Sequence, residues 1–267
     1  MRLNKKFLPA ILFCGVVALS SCEKSEQDIA QPDFEQGMIS QIMADSAEVT
    51  SYAFAGKQLS QINHYDKESG ELESFDRFER DGKGKLIKTS THAGGNHALL
   101  SEQSFTYNTD GLLTKSKMVY YNGSKVEYTG YATYSYDAQN KLEKKSVFEG
   151  EEQEKATPKS YTTYSVLPNG NYTQEEQYVI DDKGEEKLFS VSTYSYDNSI
   201  NPFHEFAEPG TASSPNNLIA ATTVVSGSNK TYEYAYAYTY DERGYPLTQT
   251  VNTPTGKREV FTYVYSN

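Results

Sequence analysis

The sequence predicts an all-β fold: an antiparallel meander of repeated β-hairpins, about 15 or 16 strands in all. The expected form is an extended, twisted, partly single-layer sheet, with a closed barrel or a two-sheet sandwich as the alternative. Three observations carry this. Tyr232, Tyr234, Tyr236, Tyr238 and Tyr240 fall on every second position, the period at which strand side chains share a face. Turn signals rich in Gly, Asn and Asp recur every 8 to 14 residues from Gly37 onward, a spacing too short for helical segments. No window shows sustained apolar residues at i, i+3, i+4 and i+7.

The chain opens with a basic segment, Arg2, Lys5 and Lys6, followed by the apolar run Phe7 to Leu19. That run is shorter than the roughly 20 apolar residues a membrane-spanning helix needs, so it reads as a signal peptide over residues 1–21. Leu19-Ser20-Ser21-Cys22 resembles a bacterial lipobox, which implies acylation at Cys22 and attachment to the membrane through lipid. Cleavage removes Cys14, leaving neither a disulfide nor a cysteine metal site. Residues 22–37 are polar and acidic, with Pro32 and Gly37, and read as a tether. Residues 38–267 are expected to form a single domain.

The formal net charge is −11, with 36 acidic against 25 basic residues. This argues against nucleic acid as a partner, which demands basic patches. Leu, Ile, Val and Phe are scarce, but there are 23 tyrosines and no tryptophan. Tyrosine is therefore expected to take over part of the core-forming role, each ring supplying apolar area with a hydroxyl that requires a partner.

The hairpins repeat. Phe105-Thr-Tyr107-Asn108, Tyr134-Ser-Tyr136-Asp137, Tyr194-Ser-Tyr196-Asp197 and Tyr238-Thr-Tyr240-Asp241 are one motif, and Tyr164-Ser-Val166 fills the missing step of a period near 30 residues. A fixed period with two strands per unit is a hairpin array. Two stretches break the rhythm. Glu149 to Pro158 is rich in Glu and Lys and reads as a solvated hairpin tip. Asp197 to Asn217 is a long irregular loop, a length often reserved for function. Its Phe203 and Phe206 are expected either to dock on the tyrosine face or to present rings to a partner.

The Tyr-x-Tyr-Asp-x-x-Gly-x-x-Leu pattern at Tyr238 to Leu247 resembles the YD repeats of Rhs-type surface proteins. The insertion from Tyr196 to Phe203, followed by Asp241 to Pro246, is similar to a group of uncharacterised Bacteroidetes lipoproteins carrying a domain of unknown function. The resemblance implies a repeat-built, all-β surface lipoprotein and no particular activity. Glu23, Glu26 and Asp28 loosely match the acidic export signal of such lipoproteins. Asp45-Ser46-Ala47 resembles their short O-glycosylation motif, which makes Ser46 a candidate modification site.

Catalytic signals are absent. The four histidines, His64, His92, His97 and His204, lack ligand spacing. Gly-x-Ser-x-Gly, His-Glu-x-x-His and a phosphate loop do not occur. Asp81, Asp110, Asp137, Asp181, Asp182, Asp197 and Asp241 fall mostly in turns, where turn chemistry explains them better than the paired carboxylates of a glycosidase. The expectation is an outer-membrane lipoprotein, facing either the cell surface or the periplasm, that uses no cofactor and catalyses nothing. It would bind a glycan or a peptide on the face of Tyr232, Tyr234, Tyr236, Tyr238 and Tyr240. A structural or envelope-assembly role is the alternative, and a hydrolase the third reading.

Overall fold

A computed structural model describes residues 37–153, 156–228 and 230–266. Cys22, the signal peptide and the tether up to residue 36 lie outside the described residues. The described chain forms 16 strands: β1 (Ile39–Ala44), β2 (Ala47–Ala55), β3 (Gln58–Tyr65), β4 (Leu72–Arg80), β5 (Leu86–Ala93), β6 (Leu99–Tyr107), β7 (Leu113–Asn122) and β8 (Lys125–Tyr136). The second half comprises β9 (Leu142–Glu149), β10 (Ser160–Val166), β11 (Tyr172–Ile180), β12 (Glu186–Ile200), β13 (Asn216–Val225), β14 (Lys230–Tyr240), β15 (Pro246–Asn252) and β16 (Arg258–Tyr265). A single 3-10 turn, His204–Phe206, interrupts them. No helix among the described residues is long and apolar enough to cross a membrane.

Each strand pairs antiparallel with its sequence neighbours, and β1 pairs with β16, so the sheet closes. The extended open sheet expected from the sequence is therefore corrected to a closed barrel, the architecture held as the alternative. Closure rests on pairs such as Ile42 with Tyr263 and Ala44 with Phe261, and it removes both exposed sheet edges. Hairpin signals are local and identical in open and closed sheets. The closing pair joins the two ends of the domain and leaves no local trace.

Every Tyr-Asp turn lies at one end of the barrel, hereafter the repeat end. There the Asp folds the chain by accepting backbone hydrogen bonds (an Asx turn). Asp81 Oδ1 accepts the Lys83 and Lys85 amides, Asp137 Oδ1 those of Gln139 and Lys141, and Asp241 Oδ1 those of Arg243 and Tyr245, all at 2.8–2.9 Å. Asn108 Oδ1 does the same for Leu112 at 2.9 Å. Asn108→Ala is expected to cost about 1 kcal/mol, read as a lower melting temperature with no loss of β signal in circular dichroism.

The turn delivers the chain into a β-bulge, and the residue just before the bulge points inward. Leu59, Leu86, Leu113, Leu142, Tyr172 and Pro246 form this layer, all buried. A tyrosine near the repeat end of the neighbouring strand closes the unit. Tyr107 Oη donates to Leu86 O at 2.6 Å, Tyr196 Oη to Tyr172 O at 2.7 Å and Tyr265 Oη to Pro246 O at 2.8 Å. The phenol thus satisfies a carbonyl near the bulge while its ring fills the wall. Tyr107→Phe and Tyr196→Phe are each expected to lower stability by about 0.5–1.5 kcal/mol, measurable by denaturant melts.

Candidate functional site

A ring of 16 strands is too wide for its own side chains to fill. The loop joining β12 to β13, residues 201–215, occupies part of this lumen. Its contacts prove the placement, because they reach strands all round the wall. Phe203 meets Tyr52 of β2 at 6.0 Å and Tyr263 of β16 at 5.9 Å between ring centroids. Phe206 packs edge-on against Phe54 at 5.0 Å. Ala212 packs on the main core of Leu86, Phe105, Leu113, Ala132, Tyr134, Leu142 and Tyr172. No loop on the outside reaches β2, β8 and β16 together.

An amide network pins the loop at its base. Asn201 Nδ2 donates to Ser214 O at 2.8 Å, closing the loop on itself. Ser214 Oγ accepts the Tyr172 amide at 3.0 Å. Asn171 Nδ2 donates to Asn216 Oδ1 at 3.0 Å, and Asn216 Nδ2 donates to Ser199 O at 2.9 Å. These bonds fix where the loop leaves the wall and where it returns.

Between loop and wall lies a cavity of about 370 Å³, lined by Tyr52, Leu59, Ile62, Tyr196, Phe203 and Phe206, with Asn201, Thr211, Ser213, Ser214 and Asn216 adding polar groups. Phe203 separates it from a smaller one of about 170 Å³ beside Tyr238, Gln249 and Tyr263.

The tyrosine ladder faces this lumen. Tyr234, Tyr236, Tyr238 and Tyr240 are half-buried, while Ala235, Ala237 and Thr239 on the opposite face are exposed. Tyr232, at the far rim, is 40% exposed. Tyr238 Oη donates to Leu218 O at 3.0 Å and accepts from Gln249 Nε2 at 2.7 Å. Burial pushes its phenol up to about 12, so it remains a donor throughout the physiological range. Tyr240 Oη donates to the Asp197 carboxylate. The ladder is thus an inner wall whose lower rungs are occupied by structural hydrogen bonds. Ser46 lies at the opposite end, exposed in the turn between β1 and β2 with φ +72°.

Charged groups that periodicity alone did not single out also face the lumen. Lys145 of β9 lies opposite Tyr134 in register, its Nζ 5.8 Å from that ring. Glu175 of β11 hydrogen-bonds Tyr194, and Glu208 of the loop hydrogen-bonds Thr89 of β5. Burial pushes both carboxyls up, and the Lys145 charge opposes this; burial pushes Lys145 down. His64 Nε2 lies 2.9 Å from Asp76 Oδ2, and Thr91 Oγ1 donates to Asp76 Oδ1 at 2.6 Å. All keep partial exposure although they point inward, so the solvent they meet is that of the lumen.

A carboxyl raised by folding contributes stability below its unfolded value and loses it as pH rises through the folded value. Glu208→Gln is therefore expected to leave the melting temperature unchanged near pH 4 and to raise it at pH 8, checked by paired thermal melts. Among the described residues no group of His, Cys, Asp and Glu is placed to hold a metal ion.

The outward face is different. Arg77, Glu79, Lys88, Glu102, Lys115, Lys117, Lys144 and Glu176 project from it, interleaved with Thr and Ser and with two stacked ring pairs, Tyr131 with Phe148 and Tyr161 with Tyr178. Lys88 pairs with Glu102, and Lys144 lies 3.8 Å from the Tyr161 ring. The Glu- and Lys-rich stretch joins β9 to β10, and its residues Glu151 and Glu152 are exposed while bonding Lys117 and Lys115 at 2.7 and 2.6 Å.

No protein-family model matches the chain, and no curated protein matches it. Solved structures do. A porin-like protein from Bacteroides uniformis superposes with a TM-score of 0.52 and 16% identity, covering 88% of this chain and 99% of its own. A porin-like protein from Bacteroides vulgatus gives a TM-score of 0.50 and 10% identity, covering 86% and 99%. At these identities the likeness is one of fold, and it extends over 99% of each relative.

Proposed function

We propose that this chain is a lipid-anchored, non-catalytic protein of the cell envelope that binds an extended peptide through an apolar side chain at the mouth of its barrel. The observation that carries the reading is the cavity of about 370 Å³ between the lumen loop and the wall. Its rings and aliphatic groups suit an apolar or aromatic side chain. The side chains of Asn201, Ser213, Ser214 and Asn216 are engaged in holding the loop, and the exposed Thr211 hydroxyl on the lining offers a partner to a peptide backbone. A glycan is the competing ligand, for which the lining offers ring faces but no tryptophan.

The polar outer surface supports anchoring over spanning. A membrane-embedded barrel presents an apolar band about 25 Å tall to lipid, and the charges on β4 to β11 interrupt any such band here. Acylation is the part of the proposal that rests on residues 1–22. Metabolic labelling with a fatty-acid analogue is expected to mark the wild-type chain and to leave Cys22→Ser unmarked.

Thr211→Trp tests the binding reading. Thr211 is exposed and lines the cavity, so the larger ring fills the space without disturbing the wall. Peptide binding, found by a library screen and measured by calorimetry, is expected to weaken at least about tenfold, or 1.4 kcal/mol, with an unchanged melting temperature. Binding that survives the substitution, or binding of glycans alone, overturns the peptide reading. The phenol-to-carbonyl bonds favour a second reading, a purely structural envelope protein, and a blank in both screens would leave that one standing.

A further inference from the structure

We infer that one sector of the repeat end, centred on Ile200, Ile219 and Leu247, rests on the surface of the bilayer. This inference depends on the lipid-anchored reading above. The described chain begins at this end, where the Gly37 amide donates to Ser266 O at 3.1 Å and the Ser266 amide to Met38 O at 2.8 Å. Residues 22–36 precede it, a length that spans at most roughly 50 Å. Acylation at Cys22 therefore keeps the repeat end within reach of the membrane.

The chemistry of the rim is asymmetric in a way the fold does not require. Each repeat-end hairpin has a bulge whose extra residue projects outward. In β13 that residue is Ile219, between Leu218 and Ala220, and in β15 it is Leu247, between Pro246 and Thr248. They are 38% and 40% exposed, and Ile200, bonded through its amide to Gly244 O, is 44% exposed. At the same bulge position β3, β7 and β9 carry Ser60, Thr114 and Glu143. Ile87 of β5 and Leu167, just after β10, are the exposed aliphatic residues elsewhere on that rim. Ile200, Ile219 and Leu247 thus sit together on the neighbouring strands β12 to β15, which β16 joins to β1, where the chain enters.

Arg243 and Tyr245 border the patch, with the guanidinium 5.4 Å from the Tyr245 ring and 6.0 Å from that of Tyr265. Arg and Tyr suit a membrane interface, where an apolar stem or ring meets a wet polar tip. Asp241 is paired with Arg243 at 2.7 Å, whereas Glu242 is exposed. The surface that fits is therefore a zwitterionic one. A strongly anionic lipid would repel Glu242.

The test uses the full acylated chain in phosphatidylcholine vesicles, with a polarity-sensitive fluorophore on Leu247→Cys or, for comparison, on Thr114→Cys. Both sites are on the surface, so neither label disturbs the core. Brominated acyl chains are expected to quench the label at 247 at least about twofold more than the label at 114. Adding Ile200→Ser and Ile219→Ser is expected to abolish the difference. Equal quenching at both sites, with the protein still sedimenting with the vesicles, overturns the docking sector alone. Protein that fails to sediment with vesicles overturns the anchor and the inference with it.

Discussion

Gly210→Ala is expected to unseat the lumen loop and to lower the unfolding free energy by about 2–4 kcal/mol. Gly210 has φ +81°, a conformation in which a Cβ crowds the following carbonyl at a cost of roughly 1–2 kcal/mol. The added methyl also has nowhere to go. Built at its ideal position it lies 2.7 Å from Tyr134 Cζ and 2.8 Å from Leu113 Cδ2. Leu113 and Tyr134 are buried members of the main core, so yielding there spreads strain through a packed layer, typically about 1–3 kcal/mol. The loop's other course is to withdraw, which frees Phe203 and Phe206 from Tyr52, Phe54 and Tyr263. Thermal melts measure the destabilisation, and limited proteolysis within residues 201–215 reports the withdrawal. A variant as stable and as protease-resistant as the wild type contradicts the described seating of the loop.

Leu113→Ala is expected to cost about 2–5 kcal/mol. Leu113 is 3% exposed and belongs to the inward layer at the repeat end. Removing three carbons there leaves a void bounded by hydrogen-bonded strands on both sides, which relax little. The neighbouring Ser116 Oγ and Tyr134 Oη share a buried hydrogen bond of 2.9 Å that holds the wall in place. Denaturant unfolding followed by circular dichroism gives the number. Leu247→Ala, three carbons lost from an exposed bulge, is the internal control and is expected to change stability by less than about 0.5 kcal/mol.

Much of the wall was legible before any coordinates. Alternating tyrosines in β14, the Asp- and Gly-rich turns and the period near 30 residues are local features, and each maps onto a local object: a strand face, an Asx turn, a hairpin pair. The inward charges were not legible, and Lys145 explains why. Leu142 points inward, so strict alternation places Lys144 inward and Lys145 outward. The bulge between Tyr136 with Leu142 and Ser135 with Lys144 inserts one residue and inverts the count. Lys145 then faces the lumen while Lys144 lies against Tyr161 outside. A single unpaired residue shifts every later side chain to the other face, and nothing in the identity of Glu143 announces it.

The alternation of side chains and the chemistry of its turns by themselves determined that this chain is an antiparallel array of hairpins with tyrosine in its wall. Both depend only on residues a few positions apart. Whether that array closes, which face becomes the lumen, and where the loop of Phe203 and Phe206 lodges were decided by the tertiary structure. Those outcomes depend on β1 meeting β16 across the length of the domain, and on a ring too wide to fill itself that takes in the loop between β12 and β13 at its mouth.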